Sequence, residues 1–134
     1  MSHATKVAMA NAGLFVVVAL ALLLVPEPLL ARLSIPSPSF GVLALSRVLA
    51  AALLILGAFL WGAREWLASR QAVATLRLVS VAYVIAALLA FMQQAAIWYG
   101  RLSLSLCFAL LFFALEYGRI AWRTPGAAPM ARGA

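Results

Sequence analysis

Four apolar runs, each long enough to cross a bilayer, govern what this chain can become. A spanning helix needs about 20 predominantly apolar residues, at about 1.5 Å of rise per residue. Val7–Val25, Pro38–Trp61, Ala74–Tyr99 and Leu102–Trp122 meet that requirement. Of the 134 residues, 67% are hydrophobic and only 10% are charged. A soluble domain carries roughly a quarter charged residues and could not bury this much apolar side chain. The expectation is an all-α, integral membrane, four-helix antiparallel bundle with lipid as its solvent.

The runs are bounded by identifiable residues. Pro26-Glu27-Pro28 ends the first, because proline cannot continue a helix and restricts the residue before it. Ser37-Pro38 predicts a cap followed by proline at the first helical position. Gly62 and Arg64 are read as closing the second helix, and Trp61 and Trp66 suit a membrane interface. Gly100-Arg101 leaves only a tight turn, so the last two helices form a hairpin. Leu29–Ile35 is too short to span and reads as a segment lying in the interface. Residues 1–123 then form one transmembrane domain, and 124–134 a disordered cytoplasmic tail. Lys6 with Ala19-Leu20-Ala21 resembles a cleavable signal, but a cut there leaves Leu22–Val25 apolar, so the first run is read as retained.

Charge placement gives orientation and removes one function class. The net charge of +7 is spread over the ends of apolar runs rather than over one soluble face, which argues against nucleic-acid binding. Lys6, Arg64, Arg70, Arg77, Arg119, Arg123 and Arg132 fall on one side, against Arg32 and Arg101 on the other. The positive-inside rule then predicts cytoplasmic termini, with Trp98 and Tyr99 at the outer interface. Nine of ten basic residues are Arg in an Ala- and Leu-rich chain, a composition that suggests a bacterial inner membrane protein.

Polar groups at membrane depth need a reason to be there. Arg47 lies about two turns into the second helix; at a bilayer centre an Arg costs about 2.5–3.5 kcal/mol. The partly small stripe Ala51, Leu54, Ala58 and Trp61 on its face predicts an inward position. On the third helix Gln94, Ala90, Ala87, Tyr83 and Ser80 share a face, with Gln93 beside it. On the fourth, Ser105, Ala109, Phe112 and Glu116 share a face and Cys107 points away. Arg47, Gln93, Gln94 and Ser105 would line an outer-leaflet polar cavity, with Glu27 as counter-ion. Asn11, Glu116 and Arg119 are read as structural groups near the cytoplasmic side.

One His and one Cys make no ordinary metal site, and no nucleophilic triad, inward carboxylate pair or phosphate loop is present. No cofactor follows. Glu27, Glu116, Tyr83, Tyr99 and His3 are the general acids or bases a membrane enzyme could use.

Leu24-Val25-Pro26-Glu27-Pro28, followed by Ser46-Arg47-Val48-Leu49-Ala50-Ala51 and Leu56-Gly57, resembles small four-helix bacterial membrane proteins of the DoxX-like grouping. The resemblance covers roughly the first 60 to 100 residues. It implies no activity and draws attention to Glu27 and Arg47. The expected function is non-enzymatic: a membrane-complex subunit, or a lipid or small-ligand binder with its cavity around Arg47. Expected partners are the lipid bilayer and a membrane protein or second copy. An oligomeric transporter and an enzyme acting on a lipid-borne substrate are the alternatives.

Overall fold

The computed structural model describes residues 1–33, 35, 37–96 and 100–123, with backbone alone at 94–96. Five α-helices account for most of it: α1 His3–Leu24, α2 Pro26–Arg32, α3 Phe40–Leu67, α4 Val73–Ala96 and α5 Arg101–Arg123. A short 3₁₀ turn, Arg70–Ala72, joins α3 to α4. There is no strand among the described residues. Helices α1, α3, α5 and the stretch Arg70–Gln93 are each long and apolar enough to cross a membrane. At most 33% of any spanning window is buried, so most of the helix surface has lipid as its only apolar partner.

The four spans follow the four apolar runs in order, and their boundaries differ in four places. Helix α1 opens at His3 rather than Val7, with the Ser2 hydroxyl accepting from the Thr5 N–H. Pro26 and Pro28 end α1 and also open α2, because proline fits the first helical turn, where the N–H has no partner to lose. The segment expected in the interface is therefore a seven-residue helix, with Glu27 in its first turn and Arg32 in its last. That placement matches the helix macrodipole. Ser39, not Ser37, caps α3, its hydroxyl accepting from the Val42 N–H. Neither Gly62 nor Arg64 stops α3, which runs on to buried Leu67. Its 28 residues give about 42 Å of helix against a hydrocarbon core of about 30 Å. The helix outlasts the membrane, and Arg64 donates to the Trp61 carbonyl at 2.6 Å and lies over the Trp61 ring. The predicted tail at 124–134 and the interfacial Trp98 and Tyr99 lie outside the described residues.

The bundle is two hairpins, each packed through small residues. Helices α1 and α3 meet along Ala12 and Ala19 against Ala50 and Gly57. A Cβ on Gly57 would sit 3.1 Å from Val16 Cγ2 and 3.2 Å from the Ala12 carbonyl oxygen. Helices α4 and α5 meet along Ser80 and Ala87 against Ala114 and Gly118. The Ser80 hydroxyl donates to the Ala114 carbonyl at 2.8 Å. Lipid tails are as apolar as leucine, so close van der Waals approach and such hydrogen bonds hold membrane helices together.

The hairpins join at the end that holds the N-terminus. Val7 and Ala8 of α1, Leu67 of α3, Ala72, Leu76 of α4, and Phe113, Tyr117 and Ala121 of α5 form one buried cluster there. Tyr83 stacks on its edge, with ring centroids 6.0 Å from Phe113 and 5.8 Å from Tyr117. At the opposite, α2 end the buried cluster is Ala19, Leu22 and Ala50, packed with Leu29, and belongs to the first hairpin alone. A crevice between the hairpins follows from that asymmetry.

Candidate functional site

The crevice at the α2 end is a cavity of about 440 Å³. Helix α1 contributes Val18 and Leu22, α3 contributes Val42, Ser46 and Leu53, and α5 contributes Leu102 and Leu106. Helix α2 roofs it with Leu29 and Leu30, and its C-cap residue Leu33 completes the roof. The roof reaches the second hairpin: the Arg32 carbonyl lies 3.5 Å from where a Cβ on Gly100 would be. Gly100 turns the chain with φ at +134°, a backbone conformation side chains disfavour. Val17, Leu45 and Leu49 also line the cavity and are 65%, 69% and 51% exposed, so its mouth opens onto the lipid-facing surface.

The cavity offers almost nothing polar. Ser46 is its one polar lining side chain, and that hydroxyl donates back to the Leu43 carbonyl at 2.8 Å. Neither a carboxylate nor a histidine lines it. Apolar cavities of about 150 Å³ stay dry and admit benzene. A site about three times that size, with Ser46 as its one polar lining side chain, is matched in size and polarity to hydrocarbon.

The expected polar cavity around Arg47 is not what the helices assemble. Arg47 is exposed, and Ser46 and Ala50 are buried in its place. The crevice face of α3 runs through Val42, Ser46, Leu49 and Leu53, and at about 100° per residue Arg47 points about 140° away from its centre. Its position two turns in lets the guanidinium snorkel to the headgroups, so no buried partner is required. Ser105 is also exposed, its hydroxyl donating to the Arg101 carbonyl at 2.8 Å. Buried Ser103 and Cys107 face inward instead, the reverse of the predicted face. Gln93 and Glu27 are exposed, and the Gln94 side chain is outside the described residues. Ser80, Tyr83, Ala87 and Ala90 do share the inward side of α4.

The deepest polar group is Asn11, fully buried. Its amide donates to the Tyr117 hydroxyl at 3.0 Å and contacts the Tyr83 hydroxyl, which lies 2.6 Å from Nδ2 and 2.9 Å from Oδ1. One amide thus ties α1 to both helices of the second hairpin. Spacing alone did not pair Asn11 with the tyrosines, although Tyr83 was already on the inward stripe. Glu116 sits nearer the terminal end, 2.6 Å from His3 Nε2 and 3.7 Å from Arg119. The Glu116–Arg119 pair is the one the sequence spacing predicts, and His3 is an addition from the other hairpin. No group of three or more potential metal ligands occurs among the described residues.

Fold and surface together make this chain a multi-pass membrane protein, a four-helix bundle closed at one end and cleft at the other. Comparison with protein-family models, curated proteins and solved structures found no match.

Proposed function

We propose that the protein binds a lipid-borne hydrocarbon chain, acyl or isoprenoid, in the crevice between its two hairpins, and that it is not itself an enzyme. The observation that carries this reading is the apolar lining with a mouth on the lipid-facing flank. The ligand enters sideways from the bilayer, and α2 covers its end. Ligand sites usually add a few convergent polar groups for specificity. Their lack among the crevice-lining residues fits a chain-like ligand recognised by shape. The DoxX-like resemblance implies no activity, and Glu27 and Arg47, the residues it draws attention to, are both exposed.

Delipidation of the purified protein, followed by native mass spectrometry, tests the proposal. Wild type is expected to retain a tightly held lipid that Leu106→Trp, which fills the crevice, releases with helicity unchanged. Arg47→Leu, on the other flank, should retain lipid like wild type. Undiminished retention in a folded Leu106→Trp variant would contradict the reading.

We further propose a bacterial cytoplasmic membrane as the setting, with both termini inside. The Arg-rich composition and the seven-to-two distribution of basic residues support this. Reporter fusions check it: a fluorescent protein at either terminus should fluoresce, and periplasmic alkaline phosphatase at either terminus should be inactive. Active phosphatase at a terminus would reverse the orientation.

A further inference from the structure

We infer a binding site for the phosphate of an anionic lipid headgroup at the terminal end of the bundle. It is independent of whatever occupies the crevice. A concavity of about 370 Å³ lies there, between the start of α1, the end of α3 and the last turns of α5. Ser2, His3, Ala68, Arg119 and Arg123 line it. Two guanidiniums four residues apart stand on one helix face, since positions i and i+4 are neighbours. The imidazole of His3 comes from a different helix. Arginine at a helix C-terminus is favoured by the macrodipole, which accounts for Arg123 alone. It does not account for the convergence of both arginines and a histidine on one hollow.

The nearby carboxylates leave positive charge over. Glu116 is turned into the bundle, 16% exposed, and is shared between His3 and Arg119. Glu65, 83% exposed, is 3.8 Å from Arg64. Arg123 has no ion pair among those the described residues form. Guanidinium groups match phosphate oxygens with paired hydrogen bonds, and the fit is stronger than that of a point charge. The level in the membrane favours a headgroup over a soluble anion: Trp122, which immediately precedes Arg123 at the end of α5, is 64% exposed, as an interfacial aromatic would be.

The test uses the full chain in phosphatidylcholine nanodiscs doped with phosphatidylglycerol, read by native mass spectrometry with circular dichroism as the folding control. Each guanidinium hydrogen-bonded to the headgroup phosphate should contribute at least about fivefold in affinity, so Arg119→Gln with Arg123→Gln should lower phosphatidylglycerol binding by roughly thirtyfold or more. Arg70→Gln with Arg77→Gln, at the same end but outside the hollow, should leave most of it. If the double variant loses helicity, Arg123→Gln alone should show the fivefold fall. Equal losses in the two double variants would mean diffuse surface charge and overturn the site. So would no loss in either. Inorganic phosphate added in neutral detergent should bind wild type far more weakly than the lipid does. Binding of phosphate at equal strength would reassign the site to a soluble phosphate compound and overturn the headgroup.

Discussion

Gly57→Leu should destabilise the protein by about 3 kcal/mol or more, the largest effect expected of any single substitution here. The added Cβ already meets the Ala12 carbonyl at 3.2 Å and Val16 at 3.1 Å. One of these atoms belongs to the α1 backbone, which cannot move aside as a side-chain tip can. The remaining Leu atoms would then wedge α1 away from α3 and undo contacts made by Ala19 and Ala50. Equilibrium unfolding in mixed detergent micelles, followed by helicity, measures the loss. Gly62→Leu is the control, because nothing lies within 4 Å of a Cβ there, and it should be near neutral. Equal stability of the two variants would mean that α1 and α3 do not pack as described.

Asn11→Leu should cost about 3 kcal/mol. Hydrogen bonds between membrane helices average about 0.6 kcal/mol and reach about 1.7. Stranding a buried hydroxyl adds about 1–3 kcal/mol for each group left without a partner. Both Tyr83 and Tyr117 depend on this one amide. Replacing Tyr83 and Tyr117 by Phe in the Asn11→Leu background removes the stranded hydroxyls, so the triple variant should recover part of the loss. If it is less stable than Asn11→Leu alone, the tyrosines hold the hairpins together by some means other than Asn11.

The spans were legible because hydrocarbon imposes a length that few sequences meet by accident, and because the Gly100 turn and the proline pair stop helices for covalent reasons. The faces were less legible. On α3 the stripe at Arg47, Ala51 and Ala58 is about as small as the one at Ser46, Ala50 and Gly57. An alanine-rich helix therefore does not say which side packs. The small stripe beside Arg47 predicts an inward guanidinium, but a side chain long enough to reach the headgroups does not have to pack inward. The depth of Ser105 and the face it shares with Ala109, Phe112 and Glu116 predict an inward hydroxyl. Its hydroxyl is satisfied by its own helix, as serines in membranes commonly are. The Tyr83 stripe was readable because one large polar aromatic among alanines marks a face. The crevice was not readable at all. It arises from how two hairpins meet, joined at one end where Val7 and Leu67 pack with Leu76, Phe113 and Tyr117, and apart at the other.

That difference between the two ends is the central claim, and lipid photolabelling tests it most directly. A phospholipid carrying a diazirine along its acyl chain is activated in liposomes containing the protein, and the adducts are mapped by peptide sequencing. Accumulation is expected at Ser46, Leu53 and Leu106, above the level on the outward leucines of α4, Leu78 and Leu88, and Leu106→Trp should abolish the excess. Equal labelling of Leu88 and Leu106, unchanged by the tryptophan, would contradict the account by making the crevice ordinary lipid-facing surface.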